Sequence, residues 1–123
     1  MNFKLLRDLL RGPDFGLSRR DALKIFQRDH FKCQYCGLNG LERFENWLIL
    51  TIDHLLPAAR GGSRRMDNLL TACQPCNVLK GKHVFKSREE ARAFILGRRD
   101  EWHKHYEAHR KGERARLLAG RAG

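Results

Sequence analysis

Apolar positions recur at helical spacing toward both ends of the chain and bunch into strand-like runs between them. Residues 2–11 place Phe3, Leu6 and Leu10 on one stripe with Leu5 and Leu9 beside it, the pattern of a short amphipathic packing helix. Gly12-Pro13 ends it, since neither residue continues a helix well. A second helix opens at Ser18, a capping residue with Asp21 three positions on. It turns Ala22, Leu23 and Phe26 inward and ends near Asp29-His30, leaving Arg19, Arg20, Lys24 and Arg28 solvated or in reach of phosphate. Ser87-Arg88-Glu89-Glu90 reads as a capping box for a long last helix. Its expected core stripe is Ala91, Phe94, Ile95, Trp102 and Tyr106, with Gly97 as a weak point and a frayed basic tail from Arg110.

The middle of the chain reads differently. Trp47 to Ile52 is a run of β-formers that delivers Asp53-His54 at its end. Pro57 limits further pairing, and Ala58 to Asp67 reads as a flexible basic loop carrying Gly61-Gly62 and Arg60, Arg64 and Arg65. Asn68 to Ala72 forms a short returning strand. A helix follows that begins near Pro75, carries Asn77 and Lys80, and stops at Gly81. Neighbouring residues on a regular strand point to opposite faces. Asp53 and His54 therefore share one site only if the strand ends or bulges there.

Charge and cysteines narrow the chemistry. Twenty-five Lys and Arg against fourteen Asp and Glu give a formal net charge of +11, which favours a polyanionic partner. No apolar run approaches the roughly 18 residues of a membrane span, and MNFKLLRDLLRGPD lacks the unbroken apolar stretch of a signal peptide. A chain of 123 residues fits one domain, with helices over 1–30, a core over 31–86 and a helix with a basic tail over 87–123. Cys33-Gln34-Tyr35-Cys36 and Cys73-Gln74-Pro75-Cys76 are two CxxC pairs, and Gly37 suits a tight turn after the first. Four such thiolates close a tetrahedral structural zinc site. The 36 residues between Cys36 and Cys73 exceed the roughly 15–20 of a zinc ribbon, so a folded element must fill the gap.

That gap carries the rest of the pattern. DH-x2-P, GG, NL and CxxCN-x2-KG, in that order from about Arg28 to Lys82, resemble the HNH nucleases. The resemblance implies an α+β fold, a small ββα-metal (His-Me finger) core stapled by a four-cysteine zinc site and flanked by helices at both ends. It implies His54 as general base, Asp53 and Asn77 as oxygen ligands to a divalent cation, and Asn68 as the brace that orients His54. Asn77 stands where many relatives carry the last histidine of the name. With Gly81 a turn further on, this favours Mg²⁺ or Mn²⁺ over a catalytic zinc ion.

The chemistry agrees with the inventory. Hydrolysing a phosphodiester needs a water deprotonated near neutral pH, which suits an imidazole, and cation charge beside the scissile phosphate. The expected activity is DNA cleavage or nicking. Arg60, Arg64, Arg65, Lys80 and Lys82 are the candidate phosphate contacts. RNA is the less favoured substrate, because metal-and-water chemistry does not need a 2′-hydroxyl. With no separate recognition domain visible, specificity is either low or comes from DNA structure, a homodimer or a targeting partner protein. The competing class is a non-catalytic zinc module that binds nucleic acid. A bacterial or phage cytoplasmic setting follows from the resemblance alone. His105 and His109, although spaced i,i+4, read as exposed or packing residues, and His30 and His83 as surface positions.

Overall fold

The computed structural model describes residues 19–56 and 66–122. The expected helix over 2–11, the Ser18 cap, Pro57 and the loop arginines Arg60, Arg64 and Arg65 lie outside the described residues. In order come α1 (Arg19–Arg28), α2 (Phe44–Leu48), β1 (Leu50–His54), β2 (Leu69–Cys73), α3 (Gln74–Lys80) and α4 (Arg88–Ala122). A 3-10 turn at Met66–Asn68 leads into β2. The strands pair antiparallel, with Leu50 opposite Cys73 and His54 opposite Leu69, and α3 follows β2 without a break. This is the expected small ββα core of α+β class.

All ten strand residues are buried, so both faces of this narrow sheet must be covered. One face, with Leu50, Ile52 and Leu69, packs on Ala22, Ile25 and Phe26 of α1. The other presents Leu70 and Ala72 to Tyr35, the cysteines, and Ala91 and Ile95 of α4. Burying side chains the size of Ile25, Phe26 or Ile95 stabilises by on the order of 2 kcal/mol each.

A side-chain clamp fixes α1 to β2. The Arg28 guanidinium donates to both carboxylate oxygens of Asp29, to the Met66 carbonyl at 2.7 Å and to the Leu69 carbonyl at 2.6 Å. Asp29 in turn accepts the Thr71 N–H at 2.8 Å. Arg28 thus ties α1 to β2 while staying partly exposed to solvent. Burial pushes the Asp29 carboxyl up, but the Arg28 hydrogen bonds and charge and the Thr71 N–H outweigh it, and its pKa lies below the ordinary 3.8.

Three local expectations are corrected. β1 begins at Leu50, not Trp47, because Phe44–Leu48 coils into a helical turn that stacks Trp47 on Phe31 at 5.1 Å. That aromatic contact overrides the strand preference of the run. Ser87 Oγ does accept the Glu90 N–H at 3.1 Å, as the capping box requires, but α4 then runs unbroken past Gly97 and Arg110 to Ala122. At 1.5 Å per residue its 35 residues extend about 50 Å, far beyond the body. Trp102 and Tyr106 therefore lie exposed instead of in the core, although they continue the stripe of Ala91 and Ile95.

Candidate functional site

The two CxxC turns converge. In the first, the Cys33 N–H donates to the Leu38 carbonyl and the Gly37 N–H to the Cys33 carbonyl, both at 2.9 Å, and Gly37 takes φ +80°. In the second, Cys73 closes β2 and Cys76 sits in the first turn of α3, where Pro75 loses no needed N–H. The four sulfurs all lie within 4.8 Å of one another, and Cys36 and Cys73 are 3.7 Å apart. A tetrahedron with metal–sulfur bonds of 2.3 Å has edges of about 3.8 Å. The cluster therefore fits one zinc ion, and among the described residues it is the one such grouping of His, Cys, Asp and Glu. When bound, zinc supplies a closed cross-link between the turn before β1 and the β2–α3 junction. Arg99 of α4 donates to Cys76 Sγ at 3.6 Å. Burial lowers its pKa, yet the charges of Cys36, Cys76 and Cys73 raise it by more.

Asp53 lies on the side of the sheet that faces the cysteine cluster and is buried. Its Oδ2 accepts the Tyr35 hydroxyl at 2.5 Å. Lys80 Nζ sits 3.1 Å from Oδ1 and 3.0 Å from Oδ2, and it also donates to the His54 carbonyl at 2.5 Å. Asp53 is 6 % exposed and Lys80 1 %. Burial pushes the Asp53 carboxyl above its ordinary value, with Lys80 and then Tyr35 pulling against it. The Tyr35 hydroxyl is pushed up as well, by burial and by the Asp53 charge.

His54 ends β1 and is buried. The chain just after it is held by Asn68, whose Oδ1 accepts the Leu56 N–H at 2.9 Å and whose Nδ2 donates to the Leu56 carbonyl at 3.1 Å. A backbone bond from the Leu55 N–H to the Asn68 carbonyl, at 2.9 Å, completes the brace.

Residues 33–83 match the family model for HNH endonuclease. This segment is similar to HNH endonuclease domains. The match begins at Cys33 and takes in all four cysteines together with Asp53, His54, Asn68 and Asn77. No curated protein matches the chain.

Within the HNH-like segment the expected site residues divide into two groups. Regular pairing continues through His54, without a bulge, so strand alternation sends Asp53 toward α3 and α4 and His54 toward the α1 face. His54 and Asn68 meet at one end of the sheet through the Leu55–Leu56 backbone. Asp53 instead joins Tyr35 and Lys80. Asn77 is half-buried on α3, with its carbonyl accepting the Gly81 N–H at 3.2 Å and Gly81 ending the helix at φ +58°.

The expectation that Lys80 contacts nucleic acid is corrected: its ammonium is buried against Asp53 and the His54 carbonyl. Lys82 is exposed. Tyr35 is the site residue that motif reasoning passed over, as a spacer in CxxC, while Lys80 was read as a phosphate contact and not as a partner of Asp53. The one available signal for Lys80 was its position four residues after Cys76, on the same inward face of α3. A groove of about 770 Å³ between Pro75, Val78, Trp102 and Tyr106 includes neither Asp53 nor His54. Among the described residues no helix is long and apolar enough to cross a membrane.

Proposed function

We propose that the HNH domain is a zinc-stapled endonuclease that hydrolyses phosphodiester bonds, with DNA as substrate and His54 as the base that activates water. The observation that carries this reading is the family match across a His54 whose chain is gripped on both sides. Lys80 holds the His54 carbonyl and Asn68 holds Leu56. A base must be positioned before its pKa matters, and these hydrogen bonds fix the backbone that carries the imidazole. The excess of Lys and Arg gives sequence-independent phosphate affinity that weakens with salt.

The cation expected at Asp53 and Asn77 does not fit this arrangement. Both oxygens of Asp53 are occupied, an ammonium already neutralises it, and alternation turns it away from His54. No step is therefore routed through a cation at Asp53. In this reading the chain's own residues bind phosphate through surface cations, hold His54 in place and take the proton from water.

Supercoiled plasmid and single-stranded RNA, incubated separately with the zinc-loaded protein at one salt concentration with Mg²⁺ or Mn²⁺, test the reading. Conversion of plasmid to open-circular or linear form ahead of RNA cleavage supports it. Plasmid that shifts in mobility but stays intact favours a zinc module that only binds nucleic acid.

A further inference from the structure

We propose that Lys80 is a positioning residue, and that its buried pair with Asp53 is a permanent strut for the end of β1 rather than a place kept for a metal ion. The inference rests on the nuclease reading above, with His54 as base.

The Lys80 ammonium donates to two successive residues of β1. An ammonium has three donors and no acceptor. Lys80 Nζ meets Asp53 Oδ1 at 3.1 Å, Asp53 Oδ2 at 3.0 Å and the His54 carbonyl at 2.5 Å. It thereby grips β1 at two successive residues, one through its side chain and one through its backbone. Tyr35 uses its hydroxyl on the remaining side of the carboxylate. A buried ammonium serving only as a loose counter-ion would not need the His54 carbonyl. That third contact fixes the backbone of the residue carrying the imidazole.

The strut also explains how a structural zinc ion reaches the strand end. Tyr35 lies between Cys33 and Cys36, while Lys80 lies one helical turn beyond Cys76. The first CxxC turn and the helix that follows the second therefore each send one side chain to the same Asp53 carboxylate. Arg92 Nε donates to the Tyr35 carbonyl at 2.9 Å, which anchors the first of these arms to α4. Closing the zinc site aligns both arms, and the two arms align Asp53 and with it His54. The disagreement between this packing and a metal-ligand Asp53 is then direct. A cation at Asp53 would have to drive the Lys80 ammonium from the Asp53 carboxylate while Lys80 remains inside the protein.

Two measurements decide it. In ¹⁵N-labelled, zinc-loaded wild-type protein, the Lys80 ammonium is expected to give a slowly exchanging signal that saturating Mg²⁺ leaves in place. A free, fast-exchanging Lys80, or a signal lost on adding Mg²⁺, overturns the proposal, because the cation would then take the Asp53 carboxylate. In Lys80→Met, kcat for plasmid cleavage is expected to fall on the order of tenfold to a hundredfold, as for a base set slightly out of place. KM for DNA and the zinc content are expected to stay at the wild-type level. Cleavage at the wild-type rate, or a loss expressed only in KM, overturns it. Should Lys80→Met fail to fold, the wild-type ammonium signal decides alone. Should the wild-type protein cleave nothing, the nuclease reading falls, while the same signal still decides whether the Asp53–Lys80 pair is permanent.

Discussion

The Arg99 guanidinium donates through Nη1 to Cys76 Sγ at 3.6 Å, joining the long last helix to the second CxxC turn. Four thiolates around one zinc ion leave a net negative cluster, and a guanidinium on its edge offsets that charge and holds one sulfur in place. Replacing Arg99 with Met keeps much of the stem and removes the charge. Zinc transfer to a chromogenic chelator is then expected to speed up about tenfold, the lower end of the range for such supporting contacts. An unchanged transfer rate would mean that the contact does nothing for metal retention.

Asn68 offers a second test. Its side chain holds both backbone groups of Leu56. Asn68→Ala is expected to lower unfolding stability by about 1–2 kcal/mol, measured by urea denaturation, because two hydrogen bonds are lost. Asn68→Asp keeps the acceptor and loses the donor, so it should retain about half of that difference. Plasmid cleavage should fall in both variants, and further in the alanine protein.

Acid reveals the Arg28–Asp29 clamp. The folded pKa of Asp29 lies below the unfolded value of 3.8, so its contribution is present above about pH 4 and fades as pH drops through the folded value. Asp29→Asn should cost about 2 kcal/mol near pH 6, since a charged acceptor of the Thr71 N–H and of Arg28 is lost. Urea midpoints taken between pH 6 and pH 3 should show wild type and variant converging at the acid end. A constant gap would rule out the titration of Asp29 as its cause.

The Asp53–Lys80 pair makes a double-mutant prediction. Lys80→Met alone leaves a buried carboxylate without its cation and should cost about 3–5 kcal/mol. Asp53→Leu added to Lys80→Met removes the stranded charge, and much of the lost stability should return. Additive losses across the cycle would show that the two groups do not interact.

How much of this was readable beforehand depends on how far apart the partners are in sequence. The CxxC pairs and the stop at Gly81 were legible because metal-turn and helix-end chemistry is written within a few residues. The ββα order followed from the same motifs, though Trp47 misplaced the start of β1. Its β preference gave way to stacking on Phe31, sixteen residues earlier, a contact no local pattern encodes. Lys80 read as a surface cation because its partner is 27 residues away on another element. Trp102 and Tyr106 kept the periodicity of a buried stripe, but periodicity cannot say where the body beneath a helix ends. The sequence did carry the warning that Asp53 and His54 alternate. The regular register through His54 gives that warning its consequence.

Cleavage of supercoiled plasmid by wild-type protein and by His54→Ala, side by side at equal zinc content and equal helicity, tests the central claim most directly. The predicted result is conversion to open-circular or linear DNA by the wild-type protein alone, with plasmid binding retained in both. Equal cleavage by His54→Ala would contradict the assignment of His54 as the base.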